Sequence, residues 1–184
     1  MDTMQRLSKA KTQLILGHPF VGNIAMNMPF RLDESCPTAM TNGEEVVFNP
    51  SFVNSLSDDE LTFLVAHECM HPMLEHPFRK GTREHKKWNQ AGDFVINHLL
   101  TEDKIGIMPK GGLLDEGIYN SGGGTTDGIY SILQSTPDGG GGGVGEPLDD
   151  CRDGGKTKGE MAEQEAKWKV KVAQASQSAK MVGK

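Results

Sequence analysis

The stretch Ala66-His67-Glu68-Cys69-Met70-His71 decides how this chain is read. Its two histidines stand at i and i+4, so on a helix both imidazoles project from one face and can grip a single divalent ion. The carboxylate of Glu68, directly after the first histidine, can then reach a water held by that ion. The pattern constrains only a few positions, and a chain of this length contains one by accident on the order of once in a hundred cases. Its meaning therefore rests on its flanks.

Upstream, Ser57 with Glu60 three residues on forms a capping box, and Asp58 and Asp59 suit the positive end of a helix dipole. Leu61, Phe63, Leu64, Val65 and Ala66 follow, which predicts that the helix enters His67 buried rather than solvated. Phe63, Leu64, Met70 and both histidines share a broad face directed at a core or a cleft floor. Pro72 removes a hydrogen bond to Glu68 and restricts His71, so a kink or an end is expected there. His71 can still bind a metal from a last turn.

Zinc catalysis needs three protein ligands and an open position. Asp93 is the best third ligand: it lies in a predicted helix, Trp88 to Leu100, among Ala91, Phe94, Val95, Ile96 and Leu99. A carboxylate in those surroundings costs several kcal/mol unless it meets a cation or good donors, and a metal supplies the cation. The alternative is a solvated helix position. Asn97, one turn later, can orient Asp93 or bond the far nitrogen of a ligating histidine. His76 follows His67 by nine residues, the wrong side of an ideal helix, although Pro72 spoils that geometry. It reads as a polar core or substrate-side residue, with metal ligation the lesser alternative. His85 sits in a charged run, His98 faces away from Asp93, and His18 precedes Pro19 in a turn. Cys69 points off the ligand face and reads as a small buried side chain.

Further out, Met4 to Leu16 reads as a helix, and Phe20 to Leu32 is rich in strand formers but interrupted by Gly22 and Pro29. Thr41-Asn42-Gly43-Glu44 is a turn leading into a short strand, Glu45 to Phe48, closed by Asn49-Pro50. A short helix is expected from Thr126 or Asp127 to Gln134. With 184 residues, the chain suits one domain with an appendage. The boundaries are residues 1–135 for the domain, 136–159 for a Gly-rich flexible linker and 160–184 for an amphipathic tail helix. That tail carries Trp168, Val172, Ala175, Ala179 and Val182 as a narrow apolar stripe, which calls for a partner. The formal net charge of -6, without a dense basic patch, excludes a nucleic-acid-binding surface. No apolar run approaches membrane-spanning length, and the polar N-terminus is no signal peptide. Three scattered cysteines, Cys36, Cys69 and Cys151, suit a reducing compartment, so a cytoplasmic location is expected.

Several spaced motifs then match a family in order. Thr41-Asn42-Gly43, Phe48-Asn49-Pro50, Ala66 to His71, His76-Pro77-Phe78-Arg79 and Trp88 to Asn97 together resemble the putative metallopeptidase domain of bacteria and phages. In that family the domain commonly precedes a von Willebrand factor A-like domain. The resemblance covers roughly residues 5 to 135 and resumes weakly in the tail. It implies an α+β, zincin-like fold, with a small mixed sheet packed on an active-site helix and a second ligand-bearing helix. It also implies one zinc per chain, held by His67 and His71, with Glu68 in its usual role and Asp93 falling where a third ligand is expected. Such relatives continue past the tail helix, whereas this sequence stops at Lys184. A natural short form, a fragment and a truncated chain all fit that departure.

The expected activity is zinc-dependent peptide hydrolysis, with Glu68 accepting a proton from the metal's water and delivering it to the leaving amine. An oxyanion or substrate contact is sought among His76, Arg79 and Tyr119. An extended peptide or protein substrate could pair with a strand edge around Pro37–Met40 or Glu45–Phe48. The competing reading is a non-catalytic, metal-stabilised scaffolding module whose tail docks on a protein partner. Family analogy adds a phage structural component with virion association.

Overall fold

The computed structural model describes residues 1–135, 149–151 and 155–181. The sequence-derived linker falls mostly outside these residues, as does Val182 of the tail stripe.

The chain begins with α1 (Thr3–Gly17), opened by a capping box between Asp2 and Gln5, and turns at once into α2 (Pro19–Met26). The second helix corrects the strand-like reading of Phe20 to Leu32. Pro19 occupies its first turn, where a missing N–H costs nothing, and Val21, Ile24 and Ala25 are helically spaced and buried. Gly22 is needed for the close approach of the two helices: a Cβ there would lie 2.3 Å from Ile15 Cα. Only the end of that stretch is extended, as β1 (Phe30–Leu32).

Strands β2 (Ala39–Thr41) and β3 (Val46–Phe48) pair antiparallel across the expected turn. Asn42 Oδ1 accepts from the amides of Glu44 and Glu45, and Gly43 takes a φ of 82°, which explains the Asn-Gly pair. β3 is central, parallel to β1 and antiparallel to β2. The far side of β2 carries β4 (Asp149–Cys151), running parallel to it, so part of the stretch read as linker joins the sheet. The order is β1-β3-β2-β4. This leaves neither segment singled out for substrate pairing with a bare edge at its paired residues: β3 is flanked on both sides, and β2 is covered by β4. Asn49-Pro50 does more than close a strand. Asn49 caps α3 (Pro50–Ser55) by accepting from Phe52 N at 3.0 Å, with Pro50 in its first turn.

Helix α4 (Asp58–Met73) starts with the Ser57–Glu60 capping box and ends just beyond Pro72. Every residue from Leu61 to Pro72 is buried, because α1, α2, β2, the tail helix and the next long helix surround it. A left-handed Glu75 (φ 64°) then redirects the chain into the single turn of α5 (His76–Arg79). Helix α6 (His85–Glu102) begins a turn earlier than its apolar pattern implied, because Glu84 accepts from the amides of Lys86 and Lys87. It feeds two apolar clusters. Ile96 and Leu100 join the main core, while Trp88, Ala91, Phe94 and Val95 pack with Leu113, Ile129 and Tyr130. Asp93 and Asn97 lie on the stripe between them. Short helices α7 (Glu116–Ser121) and α8 (Thr126–Ser135) close that second side.

The tail forms α9 (Lys158–Met181), which lies along α2 and reaches α4 and α5. Trp168 is buried and its indole N–H donates to Gly43 O at 2.7 Å, tying the helix to the β2–β3 turn. Ala175 and Ala179 are buried on the same stripe. The architecture is α+β, mostly helical, with one small mixed sheet.

Candidate metal centre

The crossing of α4 and α6 brings His67, His71 and Asp93 together in the interior, each fully buried. His67 Nε2 and His71 Nε2 stand 3.1 Å apart, and Asp93 Oδ1 lies 3.4 Å from the second and 3.6 Å from the first. Donors about 2.1 Å from a tetrahedral ion are separated by about 3.4 Å, so this triangle has the dimensions of one face of such a site. The donor set is two imidazoles and a carboxylate, which suits zinc and similar divalent ions. On this geometry the residues fit a metal.

The outer nitrogens of both imidazoles are also held. Asn97 donates from Nδ2 to Leu113 O at 2.9 Å, which leaves its Oδ1 as an acceptor 2.8 Å from His67 Nδ1. That bond assigns the proton to His67 Nδ1 and leaves the Nε2 lone pair directed at the triangle. His71 Nδ1 faces His76 Nδ1 at 3.1 Å, and His76 Nε2 lies 2.9 Å from Thr126 Oγ1. Phe63 stacks along His67 on the other side, with ring centroids 6.4 Å apart. Glu68 is buried beside these residues on α4. Cys69 is buried too, and loss of solvation pushes its thiol up to about 12.

The three residues considered for substrate or oxyanion contact are placed differently from one another. His76, read as a polar core or substrate-side residue, is 1% exposed and stands behind His71 with both ring nitrogens engaged. Arg79 is at the surface, where its guanidinium and that of Arg83 share the carboxylate of Asp127. Its charge is thus spent on tying α5 to α8. Tyr119 lies flat on His98, with centroids 3.6 Å apart, on the side where α6 meets α7.

Three supporting residues escaped the reading of the sequence. Thr126 terminates the chain of contacts behind His71 and gave no signal beyond a helix start. Trp88 donates its indole N–H to His76 O at 2.9 Å, whereas its aromaticity pointed only to core. Gly92 leaves room for the His76 ring, since a Cβ there would meet His76 Nδ1 at 2.8 Å. That glycine carried a readable signal: inside a helix it costs about 1 kcal/mol relative to alanine and so calls for a packing reason.

No curated protein and no solved structure matches the chain at a significant level. A family match does span it, over residues 2–184, and includes the tail helix as well as the metal centre. With α4 and α6 converging on a buried two-histidine, one-carboxylate cluster, the chain belongs to the family described as the putative metallopeptidase domain.

Proposed function

We propose that this protein is a zinc-dependent peptide hydrolase of zincin-like design, holding one zinc per chain through His67, His71 and Asp93. The observation that carries this reading is the triangle of His67 Nε2, His71 Nε2 and Asp93 Oδ1, with sides of 3.1, 3.4 and 3.6 Å. When bound, such an ion polarises a carbonyl and makes a nucleophile available near neutral pH. The chain's own residues do the rest. Asn97 keeps the His67 proton on Nδ1, so that Nε2 can ligate without a tautomer change. Glu68, on the helix that carries both histidines, would accept a proton during attack and return it to the leaving amine.

One observation favours the second reading, a metal-stabilised module that cuts nothing. His67, Glu68, His71 and Asp93 are all 0% exposed, and β4 lies along β2 where an extended peptide could otherwise pair. Cleavage therefore requires a rearrangement that admits substrate, whereas a structural metal requires none.

Glu68→Gln separates the readings. Zinc stoichiometry and the melting transition should match those of the wild type, and cleavage of a peptide library should be abolished. A wild type carrying one zinc per chain that cleaves no member of the library would rule out the hydrolase reading and leave the module.

A further inference from the structure

We infer that His76 is the positioning residue that fixes His71 for metal binding, through a His71–His76–Thr126 relay built across α4, α5 and α8. The inference deepens the metal reading and rests on it for its functional consequence, but the relay itself stands on contacts within the chain.

For His71 Nε2 to offer a lone pair to the triangle, the ring's proton must sit on Nδ1. Nδ1 faces His76 Nδ1 at 3.1 Å, so His71 donates and His76 accepts there. An imidazole that accepts at Nδ1 carries its proton on Nε2, and His76 Nε2 lies 2.9 Å from Thr126 Oγ1, which accepts in turn. Given that His71 Nε2 offers its lone pair inward, this run of protons satisfies both rings; the reverse run, with Thr126 donating, would put the His71 proton on Nε2 instead. The relay is built rather than incidental. The Trp88 indole N–H holds the backbone carbonyl of His76 at 2.9 Å, and its ring meets the His76 ring edge-on at 6.1 Å. Gly92, immediately before Asp93 on α6, gives up its Cβ to the same ring.

A metal-ligating histidine commonly hands its outer N–H to a carboxylate, a backbone carbonyl or water. Here the acceptor behind His71 is a neutral imidazole and the acceptor behind His67 is a neutral amide. Neither adds negative charge to the ligand set, so Asp93 is the one anionic member of the triangle.

The test uses the full-length chain with zinc as the probe. In protein labelled with 15N at histidine, the relay predicts a scalar coupling across the hydrogen bond between His71 Nδ1 and His76 Nδ1, read with and without zinc. His76→Phe keeps an aromatic ring but no acceptor, and Thr126→Val keeps the shape but loses the hydroxyl. Zinc affinity, measured by competition with a chromophoric chelator, should fall about ten- to a hundredfold in His76→Phe and by less in Thr126→Val. The absorption bands of the cobalt-substituted protein should shift in both. A residue that merely fills space would lower the melting temperature and leave affinity and cobalt spectrum alone. Wild-type zinc affinity in a folded His76→Phe, or an absent N–N coupling, overturns the inference. If His76→Phe does not fold, Thr126→Val and the coupling decide. Should the wild type bind no zinc, the metal reading fails, and the coupling in the metal-free protein still tests the His71–His76 bond on its own.

Discussion

Gly92 lies under the imidazole of His76, so close that a Cβ built on it would stand 2.8 Å from Nδ1 and 2.9 Å from Cε1. The ring cannot easily retreat, because its far nitrogen is engaged by Thr126 and its backbone carbonyl by Trp88. Two effects then oppose each other in Gly92→Ala. Helix propensity gains about 1 kcal/mol, and overpacking of a pinned ring costs about 1–3 kcal/mol. The clash should win, giving a net loss of about 1 kcal/mol in urea unfolding and weaker zinc binding through the displaced His76. A variant more stable than the wild type with unchanged zinc affinity would show that the ring moves freely.

Asp93 Oδ1 is within 3.6 Å of both inward-facing imidazole nitrogens, and its burial leaves a cation as its natural counterpart. Asp93→Ala is expected to weaken zinc binding by more than the roughly 10–100-fold that outer partners command. Metal analysis of dialysed protein should return about one zinc per wild-type chain and far less for the variant. Chelation should lower the wild-type melting temperature, since α4 and α6 both contribute to the triangle and ion binding is coupled to folding. Equal melting temperatures with and without chelator would contradict this.

Trp168 anchors α9 by two separable interactions, its buried ring and its indole hydrogen bond to Gly43 O. Trp168→Phe keeps most of the ring and loses the bond, at about 0.5–1.5 kcal/mol. Trp168→Ala loses both and should cost about 3–5 kcal/mol. Hydrogen exchange should accelerate along Lys158–Met181 in the alanine variant while zinc at His67 and His71 stays bound. Unchanged exchange in α9 would mean that the helix is held chiefly by its alanine contacts with α2.

Asp58 receives Lys9 at 2.6 Å and Arg6 at 3.1 Å, and these hydrogen bonds, that of Lys9 foremost, hold its carboxyl below the ordinary carboxylate range. A depressed folded-state value stabilises the protein above the unfolded-state pKa, and the contribution disappears as the pH falls through the folded-state value. Asp58→Asn should therefore be less stable than the wild type near neutrality. The gap should close as the pH is lowered through and below the ordinary carboxylate range. Urea midpoints across that range test it, and a gap that is constant with pH would show that the carboxylate charge is not the cause.

Much of the site was legible because the helical repeat turns spacing into direction. The four-residue spacing of His67 and His71 places both rings on one face, and Asp93 stood out as a carboxylate in an apolar helix. The capping box at Ser57 and the Asn-Gly turn are equally local, each set by side chains reaching backbone groups a few residues away. These are the contacts that a sequence by itself determines.

Tertiary structure decided the rest, because it depends on which surfaces meet. Phe20 to Met26 has strand-forming residues, yet Gly22 admits α1 at backbone distance and burial on that surface makes it a helix. His76 lies fifty residues before Thr126, and only the packing of α8 beside α6 joins them. The same packing sends Arg79 outward to Asp127 and lays Tyr119 on His98. A helix repeat can say which way a side chain points. What it meets there is set by the fold, since a hydrogen bond between distant residues leaves no trace in the spacing of either one.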